Sequence, residues 1–344
     1  VAALAAAARH GVLVKGGLFI ELPARIRAVA LDKTGTLTQG RPAVVEVVPL
    51  AGHDERELLE RVAALESRSE HPLARAILAY AKDRGVDVRP AEDFKILQGK
   101  GATGRFAGRE YWLGSHRYLE ERQQETGDVH QRLEEMSAAG RTAVVVGTDE
   151  HVCGLIAVAD AVRPESAQAV SALRAAGVES IVMLTGDNRG TAEAIARETG
   201  VDDVRAEMLP AEKVEAVVSL LARYGAVAMI GDGVNDAPAM ARATLSVAMG
   251  AAGSDAAIET ADVALMADDL SKLPWLIRHS RRTLAVIRQN IAFSLAVKVI
   301  FVVLTFAGHA SLWAAIAADM GASLLVIANG LRLLRGPVEK PAGK

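Results

Sequence analysis

Three short apolar runs in this chain of 344 residues each stop at an aspartate or at a turn built around Gly and Asp. Ile26-Arg27-Ala28-Val29-Ala30-Leu31 ends at Asp32, Ile181-Val182-Met183-Leu184 at Thr185-Gly186-Asp187-Asn188, and Ala226-Val227-Ala228-Met229-Ile230 at Gly231-Asp232-Gly233. A brief apolar run closed by a turn reads as a buried strand. A carboxylate at such a strand's end can attack phosphorus if its surroundings neutralise the incoming phosphate. Just after Asp32, Thr34, Gly35 and Thr36 offer backbone N–H groups and hydroxyls to phosphate oxygens.

The elements that must position these groups follow from the spacing. Helical patterns over 190–199 and 237–242 come after the second and third runs. Strand–turn–helix repetition predicts an α/β fold with a parallel sheet and a site at the carboxyl ends of its strands. Between about 49 and 153 the texture changes. Helical stretches (55–66, 72–84, 129–139) alternate with shorter strand-like runs such as 142–146, which predicts an inserted α+β domain. The α/β pattern resumes at about 154.

Two apolar segments close the chain: 289–308, interrupted by Lys298, and 311–331, interrupted by Asp319. Each is close to the roughly 20 residues that cross a bilayer. Arg278, Arg281, Arg282 and Arg288 precede the pair, and Arg332 and Arg335 follow it. By the positive-inside rule both outer ends are cytoplasmic, which predicts a membrane hairpin turning at Gly308-His309-Ala310. A composition 51% hydrophobic agrees with part of the chain being in lipid. A net charge of −3 argues against nucleic acid as a partner. With a single cysteine, Cys153, no disulfide can form within the chain, and that residue reads as a small core side chain. The opening VAALAAAARHG has no charged segment before it and reads as the end of a helix already under way.

Lys298 lies 309 − 298 = 11 residues before His309 and Asp319 lies 319 − 309 = 10 after it. At ~1.5 Å per residue both stand roughly 15–17 Å from the hairpin tip, near mid-bilayer. Matching depth on adjacent antiparallel helices would let them pair, and ionisable residues there are costly and functional by default.

The heptapeptide DKTGTLT at 32–38 resembles the phosphorylation signature of P-type ATPases. TGDN at 185–188, GDGVNDAP at 231–238, MLPAEK at 208–213 and DAVRPE at 160–165 resemble four more of that family's segments. SEHPLA at 69–74 followed by GKGATG at 99–104 resembles the nucleotide-binding domain of the heavy-metal-transporting members. No βαβ unit surrounds the GxGxxG run, which sets aside a dinucleotide-binding reading.

The resemblance covers the C-terminal half of such a pump. It implies a haloacid-dehalogenase-like, Rossmannoid phosphorylation domain (24–48 and 154–278) with a nucleotide-binding insertion (49–153). The end of a stalk helix (1–23) precedes it and a transmembrane hairpin (284–335) follows. Asp32 would be the nucleophile phosphorylated by ATP. Mg²⁺ would take hard oxygen ligands from Asp32, the Thr34 carbonyl and Asp232. Lys213 would offset phosphate charge, with Thr185, Gly186, Asp187, Asn235 and Asp236 completing the catalytic group. Glu66 and His71 would contact the adenine end, and Gly99 and Gly101 would let the backbone approach the nucleotide. Glu70 and Pro72 would order the His71 loop and start its helix. Asp160 and Arg163 mark the return to the phosphorylation domain, Arg163 either in the site or in a hinge. In related phosphatases an Asp acid/base stands where this chain has Thr34. A threonine takes no proton at neutral pH, so the phosphoenzyme would persist, as a pump requires.

Lys298 and Asp319-Met320-Gly321 resemble the zinc/cadmium/lead exporters, and a carboxylate added to thiolates suits Zn²⁺ better than Cu⁺. The Tyr-Asn and Met-x-x-Ser-Ser residues of copper pumps are absent from the sequence. The expectation is ATP-driven export of Zn²⁺, Cd²⁺ or Pb²⁺ by a multi-pass protein of the cell membrane with cytoplasmic catalytic domains. The actuator domain, with its Thr-Gly-Glu loop, and the earlier membrane helices, with a Cys-Pro-Cys-type motif, would be the missing N-terminal half. A copper pump, a soluble phosphohydrolase and a non-transporting remnant are the alternatives.

Overall fold

The computed structural model describes residues 1–69, 71–97, 100–231, 236–249, 261–309 and 311–336. It divides into two compact units, the first made of Val1–Asp32, Glu165–Val182 and Pro210–Lys344, the second of Lys33–Pro164 and Met183–Leu209.

In the first unit the strands run in the order Val12–Val14, Val263–Leu265, Leu245–Met249, Val227–Gly231, Ala28–Asp32. The pairs from Val263–Leu265 to Ala28–Asp32 are parallel, and Val12–Val14 closes the edge antiparallel. Ala28, Val29, Ala30 and Leu31 are all buried, as strands covered on both faces must be. Register opposes Leu31 to Ile230, so Asp32 and Gly231 finish adjacent strands side by side. Helix Pro210–Tyr224 packs against both strands through Ala216, Val217 and Leu220. Lys213 stands four residues before Val217 and seven before Leu220, on the same stripe. Helical periodicity therefore turns it toward the strand ends.

The helix Lys272–Phe306 is 35 residues long, about 52 Å. Its first part is buried through Leu273, Leu276, Ile277, Ser280 and Thr283, against Gly17–Glu21, Leu22–Arg25 and Ser166–Ala175. Its second part exposes Ile291, Leu295, Val299 and Val302. The span expected from 284 is thus the outer end of one uninterrupted helix rooted in the parallel-sheet unit. Leu312–Leu331 follows, capped by the Ser311 hydroxyl accepting from the Ala314 N–H. Both helices are long and apolar enough to cross a membrane. Asn329 donates to Asn290 across the hairpin over 2.8 Å.

The second unit is built on a six-stranded antiparallel sheet in the order Ala43–Pro49, Val152–Ala159, Thr142–Gly147, Arg109–Gly114, Gly101–Phe106, Glu92–Leu97. Helices Glu55–Glu66 and Pro72–Asp83 cover one face over Val144, Val146, Cys153 and Ile156. His116–Glu121 and Gly127–Ala138 cover the other over Trp112, Val145 and Leu155. Residues 33–48 were expected to belong with the parallel sheet. Of these, Ala43–Pro49 joins the insertion's sheet instead, pairing as its edge strand with Val152–Ala159, whose residues from 154 were likewise expected with the phosphorylation domain. Cys153 is fully buried, as expected. Gly101 has a close-packing reason of its own. At φ 146° a Cβ there would meet the Leu113 carbonyl oxygen at 1.9 Å, so the approach of neighbouring strands excludes any side chain.

Candidate active site

In the first unit the parallel strands deliver two carboxylates to one ammonium. Lys213 Nζ lies 2.6 Å from Asp32 Oδ1 and 2.8 Å from Asp236 Oδ1. Both aspartates are buried. Gly231 makes room for this: a Cβ there would stand 2.6 Å from Asp236 Oδ2. Burial alone would lower the Lys213 pKa, but Asp32 and Asp236 together raise it above the usual lysine value. The two carboxylates bring hard oxygens together at one point. That donor set fits Mg²⁺, which prefers carboxylate and carbonyl oxygen.

The second unit holds the rest of the DKTGTLT turn. Gly35 has φ 75°, a left-handed conformation that glycine adopts without steric cost. The Thr38 N–H donates to the Lys33 carbonyl. Asp160 accepts from the Thr38 hydroxyl at 2.6 Å and from the Gly40 and Arg41 N–H groups at 3.1 and 3.0 Å. Arg163 donates to the Thr38 and Gly35 carbonyls at 2.9 and 3.0 Å. These two residues therefore brace the turn through its backbone, a role the sequence left open for Arg163 and did not assign to Asp160. The Thr36 hydroxyl is buried without a hydrogen-bond partner, which suits a donor meant for a phosphate oxygen.

Thr185 is buried, and its hydroxyl accepts from the Asp187 N–H at 3.1 Å. Gly186 faces the Met208 carbonyl. Asp187 pairs with the buried Lys33 at 2.5 Å, a contact of Lys33 that sequence reading missed, although the lysine adjoins Asp32. Asn188 caps Arg189–Thr199 by accepting from the Thr191 N–H. Asp232 and Asn235 lie outside the described residues, as do Gly99 and Glu70.

Glu66 is buried at the end of its helix, and burial raises its pKa against a Ser69 hydrogen bond that lowers it. His71 is the cap of Pro72–Asp83: its Nδ1 accepts from the Leu73 N–H at 3.2 Å, and Pro72 occupies the first helical position. Burial lowers the His71 pKa and Arg75 adds to the effect. Because Nδ1 accepts, the ring proton sits on Nε2, which can donate outward.

Lys298 and Asp319 stand on the two apolar helices with exposed side chains. Among the described residues no ion pair joins them. Each helix's rotation decides which side chains meet, and across the hairpin Asn329 donates to Asn290 while Asn290 donates to the Val326 carbonyl at 3.4 Å.

Residues 26–244 match the family of haloacid dehalogenase-like hydrolases. The chain belongs to that family. This haloacid dehalogenase-like protein is 47% identical over 341 residues to a probable cadmium-transporting ATPase of Alkalihalophilus pseudofirmus, covering 97% of this chain and 47% of the relative. It is 44% identical over 336 residues to a zinc/cadmium/lead-transporting P-type ATPase of Shigella sonnei, covering 96% and 44%. A solved zinc-transporting PIB-type ATPase in its E2.Pi state superposes with a TM-score of 0.75 at 43% identity, over 97% of this chain and 54% of that one. The expected resemblance to heavy-metal P-type ATPases is borne out. The chain spans about half the length of the relatives it matches.

Proposed function

We propose that this chain is the catalytic half of a membrane pump that uses ATP to export Zn²⁺, Cd²⁺ or Pb²⁺ through an aspartyl phosphate on Asp32. The carrying observation is the Lys213 ammonium held between Asp32 and Asp236 at the carboxyl ends of parallel strands. A carboxylate oxygen of Asp32 attacks the γ-phosphorus of ATP, the new O–P bond forms as the bond to the bridging oxygen breaks, and ADP leaves. Lys213 offsets the charge on the transferring phosphoryl oxygens. Asp32, the Thr34 carbonyl and Asp232 would hold Mg²⁺, which supplies further positive charge when bound. The resemblance would add Thr185, Gly186, Asp187 and Asn235 to the residues that hold the phosphate. Thr34 offers no proton acceptor to a hydrolytic water, so the phosphoenzyme lasts long enough to drive transport.

The test is direct. Membranes carrying the protein, incubated with Mg²⁺ and ATP labelled on the γ-phosphate, should keep label after acid quenching and release it to hydroxylamine. Absence of acid-stable label would overturn the reading.

The insertion, 49–153, takes the adenine end of ATP through Glu66, His71, Gly99 and Gly101. His71→Ala should weaken ATP binding by about tenfold, the loss of one well-placed hydrogen bond. Unchanged affinity by titration calorimetry would remove His71 from the nucleotide site.

The cargo reading draws on the names of the cadmium and zinc/cadmium/lead relatives and on two charges in apolar helices. In a pump completed to the length of those relatives, by an actuator domain and earlier membrane helices, Asp319 is a metal ligand. Lys298 is the counter-ion it gains once the metal leaves. Asp319→Ala should abolish most Zn²⁺-stimulated ATP hydrolysis, and Lys298→Ala should slow turnover while sparing metal binding. Normal metal stoichiometry and turnover in the Asp319 variant would refute the assignment.

A further inference from the structure

Within the second unit, two segments almost one hundred residues apart bring a thiol and two imidazoles to one point. His151 and Cys153 stand two apart where strand Val152–Ala159 begins, at a register shift against Thr142–Gly147, and their side chains reach the same point. The sheet face at Cys153 is covered by helix Glu55–Glu66, and His53 lies in the turn leading into it, just before its Asp54 cap. His53 Nε2 is 3.0 Å from His151 Nε2, and Cys153 Sγ is 3.8 Å from His151 Nε2. The three candidate ligand atoms all lie within 4.8 Å of one another. Tetrahedral zinc, with Zn–N of about 2.0 Å and Zn–S of about 2.3 Å, separates its ligand atoms by roughly 3.3 Å (N to N) and 3.5 Å (N to S). The observed spacings bracket those values.

We propose that His53, His151 and Cys153 form a site for one soft or borderline divalent cation, Zn²⁺ or Cd²⁺, apart from the phosphorylation and membrane groups. The ligand set is the right one: imidazole and thiolate select zinc-like ions, whereas the oxygen cluster at Asp32 suits Mg²⁺.

The surroundings specify the proton balance. Arg61 Nη1 donates to His53 Nδ1 at 2.8 Å, which assigns the His53 proton to Nε2, where it is donated to His151 Nε2. The cation takes the place of that shared proton. His53 then carries its proton on Nδ1 and donates it to Glu57 Oε2, 3.3 Å away, giving the carboxylate–histidine–metal arrangement that orients ligating imidazoles. Arg61 turns onto the same carboxylate, which its Nη2 already meets at 3.3 Å. The Cys153 thiol loses its proton to solvent, so with both imidazoles neutral one proton leaves per cation bound. Affinity should therefore rise with pH. His53 and His151 are partly exposed, which leaves an approach for the ion and a fourth position for water.

Because Cys153 is the only cysteine, a thiolate-to-metal charge-transfer band can arise from nowhere else in the chain. The purified full chain in detergent, titrated with Cd²⁺ or with Co²⁺ as a coloured probe, should develop this band and saturate at one equivalent. Cys153→Ser should remove it. Cys153 is buried, so that variant could fail through misfolding. His53→Ala, in a turn, is the fold-sparing test and should weaken Cd²⁺ binding at least tenfold. Glu57→Gln should weaken it by about tenfold or more through the orienting hydrogen bond. No charge-transfer band at saturating Cd²⁺ would overturn the proposal. So would a band whose midpoint is unmoved in both His53→Ala and His151→Ala, since the thiol would then bind without the imidazoles. Binding at Asp319 cannot imitate the signal, because an oxygen ligand gives no sulfur band.

Discussion

Asp32→Asn is expected to abolish acid-stable labelling of this protein by ATP while leaving nucleotide binding measurable. A carboxamide is a poor nucleophile toward phosphorus, and the substitution also removes one of the two negative charges facing Lys213. The oxygen cluster that suits Mg²⁺ loses a ligand charge at the same time. The asparagine fits the space of the aspartate, so the strand Ala28–Asp32 and its register with Val227–Gly231 should persist. Label below detection in the variant, beside intact ATP binding, is the expected pair of results. Persistent labelling of the asparagine variant would mean that another residue accepts the phosphate.

Lys213→Ala should be nearly as severe. Removing one preorganised donor from developing oxyanion charge costs roughly 10²–10³-fold in rate. A second effect follows from geometry. Asp32 and Asp236 both approach the same nitrogen, within 2.8 Å, and are buried. Without the ammonium they lose a shared counter-charge, and repulsion between them favours a proton on one carboxylate. Only the ionised Asp32 attacks, so residual phosphorylation in the variant should climb with pH through the range where that proton is lost. Single-turnover labelling across a pH series separates the two effects. Lys213→Arg, which keeps the charge with a different shape, should recover part of the rate and flatten the pH dependence. A Lys213→Ala rate close to that of the parent would remove this lysine from phosphoryl transfer.

Much of the candidate catalytic group can be proposed from the chain because its signals are local. The run ending at Asp32 and the one ending at Gly231 are continuous stretches of small apolar residues, and a strand buried on both faces requires that. DKTGTLT and TGDN lie within single turns, so their identity travels with the residues themselves. The hairpin is legible for the same reason: apolar length measures bilayer thickness without reference to any partner. Helix Pro72–Asp83 begins at its proline as expected. That His71 would cap it with Nδ1 is not readable, since a ring nitrogen's use depends on which N–H it faces.

What the sequence alone determined is which residues end strands, which helices are long and apolar enough for lipid, and which chemistry a strand-end carboxylate can do. The tertiary structure decided which distant groups share a point. Lys213 reaches Asp32 across 181 residues because one helix lies over two parallel strands in a particular register. Arg163 reaches back 125 residues to brace the turn after Asp32. Ala43–Pro49 joins the antiparallel sheet, a choice between two sheets that strand propensity does not make. Lys298 and Asp319 were counted to similar distances from the hairpin tip yet form no ion pair, because helix rotation is set by packing rather than by counting residues. His53, His151 and Cys153 converge only because a helix folds onto the face of a strand almost one hundred residues later. Spacing along the chain encodes periodicity within one element, and the order in which elements pack encodes everything between them.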